Sequence, residues 1–370
     1  MRLFKDFMMA DFQVARTLWC MRREILARSG FGFTHLPGPV SMPFKFHASR
    51  RHKIPMARYA VKNWPVYEAS LRQRGDLRIW IGDDVEAHWT VPGQRTPKGF
   101  PVYTDLAIET VLTLRLVFHQ PLRQTEGLVG SLFDLMGLDL SVPDHSTLSR
   151  RGGGLERLRR APSAKDNLDL VVDSTGLKVY GPGEWQRERF GERKTGKPRS
   201  GWKKLHIGID PDDGEIVASE LTDHDVGDVT VLPDLLDQID GRIRRFFGDG
   251  AYDGDPTYRL FIQRRQNLPL PEVIVPPRGV SQGLAKAEDL LRQRDRHVQT
   301  IQDRGRMNWQ RASGYNRRAL VEASISRYKR IIGPKLKSRH PDAQHTEAMM
   351  GVNILNQMFS LGRPITERIR

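Results

Sequence analysis

At residue 168 the apolar periodicity of this chain changes from that of helices to that of strands, and the change sets what it can fold into. From Tyr59 to about Gly154, apolar residues recur at helical spacing with short interruptions. Thr104 and Asp105 form an N-cap and first turn for a helix through Leu106, Ile108, Val111, Leu112 and Leu116 to Phe118. After Pro121 a second helix runs from Leu122 to about Met136, closed by Gly137. Val142-Pro-Asp-His-Ser-Thr-Leu-Ser-Arg-Arg then opens a short polar helix ending at Gly152. Two short helices with a turn between them, the second rich in Ser, Thr and Arg, fit a helix-turn-helix over about 122–151. Its second helix would read the major groove through Ser146, Thr147, Arg150 and Arg151. A small helical bundle that never touches DNA shows the same elements.

Beyond residue 168 the segments are strand-like. Leu168-Asp-Leu-Val-Val-Asp-Ser-Thr-Gly-Leu-Lys-Val-Tyr reads as one strand that turns or bulges near Gly176. Lys204–Ile209 and Ile216–Leu221 flank the turn Asp210-Pro-Asp-Asp-Gly. A helix follows, about Val229 to Ile239, with Asp228 as its expected N-cap. Arg244–Asp249 is a fourth strand and Glu272–Val275 a fifth, before a long helix containing Tyr315 and stopped by Gly333-Pro334. The expected fold class is therefore α/β: an RNase H-like catalytic domain, a mixed sheet flanked by helices, over residues 161–370. A helical DNA-binding domain, 57–160, precedes it. Residues 1–56, with mixed periodicity, the break Pro37-Gly-Pro and a basic stretch Lys45–Lys53, read as an extension of doubtful order.

Charge narrows the class of partner. Lys and Arg total 59 against 44 Asp and Glu, a formal net charge of +15. The basic runs are dispersed (Arg50–Lys53, Arg157–Arg160, Arg242–Arg245, Arg327–Arg330), so no single basic tail supplies the excess. A cation excess of this kind points to a polyanion, first of all nucleic acid. Cys20 is the single cysteine, which excludes intrachain disulfides and cysteine-rich zinc sites and fits a reducing cytosol. No apolar stretch approaches the roughly 20 residues of a membrane span.

Three carboxylates carry the candidate chemistry. Asp173 follows Leu170-Val-Val and Asp249 follows Phe246-Phe-Gly, so each should emerge at the lip of a buried strand. In an RNase H-like order the first and fourth strands are neighbours, which sets these aspartates side by side, and Glu322 on the C-terminal helix completes the group. Clustered carboxylates raise one another's pKa. The cluster becomes favourable around hard divalent cations, with Mg²⁺ first among them. Two such ions, roughly 3.5–4 Å apart, activate an attacking oxygen and steady the leaving one at a phosphodiester; Mn²⁺ should substitute. On the helix, Arg318, Glu322 and Lys329 follow Tyr315 at offsets of 3, 7 and 14. At about 100° per residue these four side chains share one face. A solvated stripe with an i,i+4 Arg–Glu pair is the plain alternative.

The chain resembles bacterial insertion-sequence transposases of the DDE type, and within them the relatives of insertion-sequence family five. Tyr315, Arg318, Glu322 and Lys329 match the Y-(2)-R-(3)-E-(6)-K signature at every gap. Val-Val-Asp173-Ser-Thr-Gly and Gly-Asp249-Gly-Ala-Tyr-Asp match the first and second aspartate motifs. Trp202-Lys-Lys-Leu-His, Asn63-Trp-Pro-x-Tyr and His145-Ser-Thr-Leu-Ser-Arg-Arg are also similar to stretches common there, and the likeness covers roughly residues 57–360. It implies metal-dependent hydrolysis at element ends, then attack of the freed 3′-OH on target DNA. It implies that Tyr315, Arg318 and Lys329 hold the terminal DNA. The implied partners are double-stranded transposon-end and target DNA and a second copy in a homodimeric synaptic complex, in the bacterial cytoplasm. Some relatives carry a long β-rich insertion between the second aspartate and the glutamate. Here about 70 residues separate them, with one short strand, so the insertion looks absent or much reduced.

Several residues imitate parts of the site. Asp223, Asp225 and Asp228 precede a helix, where carboxylates cap and complement the dipole. His206 reads as a structural histidine, Trp309 as a core or helix-edge residue rather than a base-stacking platform, and Asp253 as a weaker second aspartate than Asp249. Two other classes share much of this pattern: a metal-dependent nuclease that makes no strand transfer, and a transposase-derived regulator that only binds DNA.

Overall fold

Thr104 starts the first long helix as its spacing predicts: its Oγ1 accepts from the amide of Ala107 at 3.2 Å. The structure, a computed structural model, describes residues 58–82, 85–97, 99, 101–155, 163, 165, 167–179, 201–264, 269–278 and 289–369. The expected extension (1–56), the run Arg157–Arg160 and most of the link between the two expected domains lie outside the described residues. The chain divides into two compact units, residues 1–60 with 368–370 and Val61–Glu367; the sheet, its helices and the site belong to the second.

In that unit α1 (Trp64–Gln73) and a hairpin of β1 (Thr90–Arg95) and β2 (Pro101–Tyr103) precede three helices. These are α2 (Asp105–Val117), α3 (Leu122–Met136) and α4 (His145–Arg151). Gly137, at φ 68°, ends α3 in the left-handed region that glycine adopts without penalty. Asp144 caps α4 by accepting from the amides of Ser146 and Thr147 at 2.8 and 2.9 Å.

The sheet contains β3 (Leu168–Val179), β4 (Trp202–Ile209), β5 (Ile216–Asp223), β6 (Ile243–Phe247) and β7 (Glu272–Ile274) in the order β5-β4-β3-β6-β7. β5, β4 and β3 meander antiparallel, whereas β6 and β7 run parallel to β3. This mixed sheet flanked by helices fits an RNase H-like DDE domain. The first and fourth of these strands are neighbours, as expected.

Alternation along β3 divides its contacts between two cores. Val171 and Leu177 face one with Leu205, Ile207, Val321 and Leu355. Leu168, Leu170 and Val172 face the other with Val231, Leu232 and Phe246. α9 (Ala319–Ile331) and α10 (Pro341–Ser360) cover the first face, α5 (Asp228–Leu236) and α6 (Asp255–Gln263) the second. The first core also takes in Ile108, Val111, Leu114, Phe133 and Leu148 from α2, α3 and α4. Between β7 and α9 run α7 (Asp289–Arg304) and α8 (Arg306–Ala312), and after α9 a short strand, β8 (Lys335–Leu336), pairs with the far end of β3. No β-rich insertion occurs between Asp249 and Glu322 among the described residues.

Three local expectations are corrected. β3 does not bulge at Gly176: its pairing with β4 is continuous from Val171↔Ile209 to Lys178↔Trp202. The glycine makes room for an aromatic ring, since a Cβ there would lie 3.2 Å from Trp202 Cε3. Asp228 is the first residue of α5, and Gly227 holds the N-cap position. Tyr315 precedes the long helix. Gly314, at φ 71°, starts a 3-10 turn over Tyr315–Arg318, and the α-helix begins at Ala319.

Candidate active site

The register of two parallel strands sets the aspartates. Val171 pairs with Phe247, the last such pair between β3 and β6. Asp173 and Asp249 each lie two residues beyond that pair: Asp249 follows the end of β6 as expected, whereas Asp173 sits midway along β3, still paired with Ile207 of β4, because β3 runs on past the parallel pairing to Val179. By alternation Asp173 faces the core side covered by α9. Gly248 admits the turn that follows, since a Cβ there would approach Tyr252 Cδ2 to 2.7 Å. Asp249 then caps the 3-10 turn Gly250–Tyr252, its Oδ1 accepting from the amide of Ala251 at 2.7 Å.

Arg318 ties the C-terminal helix to the first aspartate. Its Nη2 donates to Asp173 Oδ2 at 2.8 Å and its Nη1 to Glu322 Oε1 at 2.7 Å. The Asp173 and Arg318 side chains are 18% and 24% exposed and Glu322 is 58% exposed, so one carboxylate is sheltered and the other faces solvent. Glu322 occupies the first turn of α9, where the helix dipole favours a carboxylate. Burial raises the pKa of Asp173; the Ser174 amide and Arg318 oppose the rise, while the like charges of Asp249 and Glu322 add to it. Burial also raises Tyr315, whose ring packs on Trp309 with centroids 5.3 Å apart.

The structure thus brings Asp173, Glu322, Arg318 and Tyr315 to one place and sets Asp249 on the neighbouring strand within electrostatic reach of Asp173 and Arg318. Lys329 lies about two turns further along α9, joined to none of the other three by a hydrogen bond or ion pair among the described residues. Among those residues, too, no three His, Cys, Asp or Glu side chains form a ready ion-binding group. The cation between Asp173 and Glu322 is Arg318.

The residues that resembled parts of the site are otherwise engaged. Asp253 is 1% exposed and binds Arg294 at 2.7 and 3.0 Å. Trp309 is buried and donates to His297 Nδ1 at 2.8 Å. His206 is fully buried, with Nε2 2.9 Å from Thr222 Oγ1 and Nδ1 3.5 Å from Asp228. Asp228 also accepts from Ser174 Oγ at 3.0 Å and Lys204 Nζ at 3.2 Å, bracing the strand directly behind Asp173. Burial pushes the pKa of His206 down to about 4, against about 6.5 in an unfolded chain. The unfolded state then binds the extra proton, so this contribution is intact above about pH 6.5 and is lost as pH falls toward 4. Urea midpoints should therefore fall between pH 7 and 5, and His206→Gln should shrink that fall; an undiminished fall in the variant would place its origin elsewhere.

A second cluster was missed from sequence. Asp169 is fully buried on β3 and binds three guanidiniums: Arg244 at 2.8 Å, Arg245, and Arg317 from the turn that carries Arg318. Asp169 lies four residues before Asp173, on the same strand face, and a buried carboxylate in an apolar run requires cationic partners. That requirement was the available signal.

In the short helix α4, Ser146 and Arg150 are exposed. The hydroxyls of Ser146 and Thr147 donate to Asp144 at 2.5 and 3.0 Å, and Arg150 Nη2 reaches Thr147 Oγ1 at 3.3 Å. Arg151 is tied to Asp105 and to the carbonyl of Tyr103, which docks α4 on the start of α2.

A mixed sheet with one aspartate midway along its central strand, a second just past the end of the adjacent parallel strand and a glutamate on the covering helix fits the framework of a DDE domain. The family model described as Transposase DDE domain matches residues 165–357, and a second model of the same description matches residues 72–182. The first spans more than half of the chain, which therefore belongs to the Transposase DDE domain family and is an enzyme of the transposase class.

Proposed function

We propose that the chain cuts the ends of a mobile DNA element and joins the freed 3′-OH ends to target DNA, with Asp173, Asp249 and Glu322 as the catalytic carboxylates. The observation that carries this is the bridge from Arg318 to Asp173 and Glu322, with Asp249 one strand away. Three oxygen donors from three elements match the preference of Mg²⁺ or Mn²⁺. Burial is the main cause of the raised pKa of Asp173, and the like charges of Asp249 and Glu322 add to it. Divalent ions held by these residues would supply Lewis-acid activation of the attacking and leaving oxygens. The chain's own residues do the rest. Asp173 and Asp249 are fixed by strand register, Glu322 is the solvent-facing member, and Arg318 balances their charge before substrate arrives. Divalent ions held by the three carboxylates would take over the charge balance that Arg318 now provides, and its planar fork would suit a DNA phosphate in their place. Tyr315 and Lys329 extend the same surface along the terminal DNA, as in insertion-sequence family five transposases with the Y-R-E-K signature.

Ser146, Thr147, Arg150 and Arg151 of α4 are proposed as the DNA reader, with Arg150 reaching out from a helix that Arg151 anchors. Two copies would pair the two ends in one complex. Arg318→Lys keeps the charge and loses the fork, and it should lower cleavage while leaving the salt dependence of end binding unchanged. Wild-type cleavage by this variant would show that charge alone suffices. Arg150→Ala should flatten the slope of log affinity against log salt by about 0.9, one phosphate contact. An unchanged slope and unchanged discrimination against random DNA would remove α4 from the interface.

A further inference from the structure

A cavity of about 350 Å³ lies where α2 and α4 meet α10 and the loop before it. Its floor includes Arg115, Leu116, Leu148 and Met350, and its rim the exposed Ser149, Arg339 and His340. Arg115 is 8% exposed, yet its Nε has no hydrogen-bond partner, and among the described residues its guanidinium makes no ion pair. A buried polar nitrogen left without a partner is costly, and native proteins rarely carry one without a purpose.

The neighbouring charges bear on the same cavity. Lys337 also lines the cavity, its Nζ donating to the carbonyl of His119 at 3.1 Å. Burial lowers the pKa of Lys337, and the charge of Arg115 lowers it further, so the two cations repel each other. Glu347 is the one carboxylate in the lining, and its two oxygens accept from the amides of Lys337 and Ser338 at 2.8 Å each. Arg115 and Lys337 thus face a cavity whose one carboxylate among the described residues, Glu347, is already engaged by backbone. The mouth opens beside Ser149, one residue from Arg150 on α4.

We propose that this cavity is a phosphate-binding site that seats one backbone phosphate of the bound DNA, flanking the groove entered by α4. The identity of the phosphate rests on the DNA-reading role proposed for α4; the site itself rests on the unpaired guanidinium.

The test uses the full chain, Arg115→Met and, as a second variant that leaves the buried helix untouched, Lys337→Gln. Thermal unfolding is followed with added sodium phosphate against sodium chloride of equal ionic strength. Binding of duplex end DNA is followed across a salt series. Phosphate should raise the Tm of the wild type and of neither variant. Arg115→Met alone should unfold no earlier than the wild type, because it removes an uncompensated charge. Each variant should bind end DNA about tenfold more weakly, with the salt slope reduced by about 0.9. A lower Tm for Arg115→Met would make the guanidinium structural and overturn the site. So would a wild type indifferent to phosphate together with unchanged DNA binding in both variants. Phosphate stabilisation lost in the variants, with an unchanged DNA slope, would assign the site to a free phosphate and overturn the DNA assignment. If the wild type bound no DNA, the proposed function would fail, and the phosphate arm alone would still decide the cavity.

Discussion

Glu322→Gln is expected to lower cleavage of element ends by at least about 10³-fold, some 4 kcal/mol of barrier, with end binding and Tm unchanged. The side chain is 58% exposed and its visible partner is Arg318, four residues earlier at the N-cap of α9. Such a pair stabilises a helix by only a few tenths of a kcal/mol, so any large effect must come from chemistry. Asp173→Asn and Asp249→Asn should lose cleavage to the same extent. Of the two, Asp249→Asn keeps an oxygen able to cap the turn at Ala251. Normal cleavage by Glu322→Gln in either Mg²⁺ or Mn²⁺ would reduce the shared face of α9 to a solvated stripe.

Asp169→Ala should be the most destabilising single change near the site. It leaves three guanidiniums facing an emptied, buried position, and breaking a buried ion pair costs about 3–5 kcal/mol. In a unit of this size that is a fall in Tm on the order of 10 °C. Burial pushes the Asp169 carboxyl up, but its bonds from Arg245 and Arg244 outweigh that and hold it below the ordinary value. Its contribution is therefore present above about pH 4 and lost as pH falls further. Cleavage should suffer along with stability, because Arg317, which binds Asp169, immediately precedes Arg318, which binds Asp173. A Tm within about 2 °C of the wild type would show that the cluster holds little.

Much of the sheet was legible because its signals were local and repeated. The apolar run at Leu170–Val172, the turn at Asp210–Gly214 and the double Phe246-Phe247 each specify a strand, and their sequence order implies that β3 and β6 are neighbours. From that adjacency alone Asp173 and Asp249 come out side by side. The helical caps at Thr104, Gly137 and Asp144 were equally readable, since each is a chemical signal at one position.

What was not legible depends on contacts distant in sequence. The spacing of Tyr315, Arg318, Glu322 and Lys329 suits an α-helix, yet Gly314 starts a 3-10 turn that carries Tyr315 and Arg318 toward β3 before the helix begins. One partner of Asp169, Arg317, lies 148 residues away, and no periodicity reports such a pair. Arg115 has no signature in the sequence; only the packing of α2 against α10 shows that it is buried with its Nε unpartnered among the described residues. His206 and Asp228 were read separately, as a structural histidine and a cap, whereas the fold joins them with Ser174 and Lys204 behind the strand that carries Asp173.

Strand transfer with pre-cleaved ends separates a transposase from a nuclease on the same scaffold. A labelled duplex carrying the element's terminal sequence and a free 3′-OH is incubated with the full chain, a circular target and Mg²⁺, and the products are resolved by size. The account predicts label joined covalently to the target, abolished by chelation and by Glu322→Gln. Shortened label with no joined product, or joining that survives chelation, would contradict it.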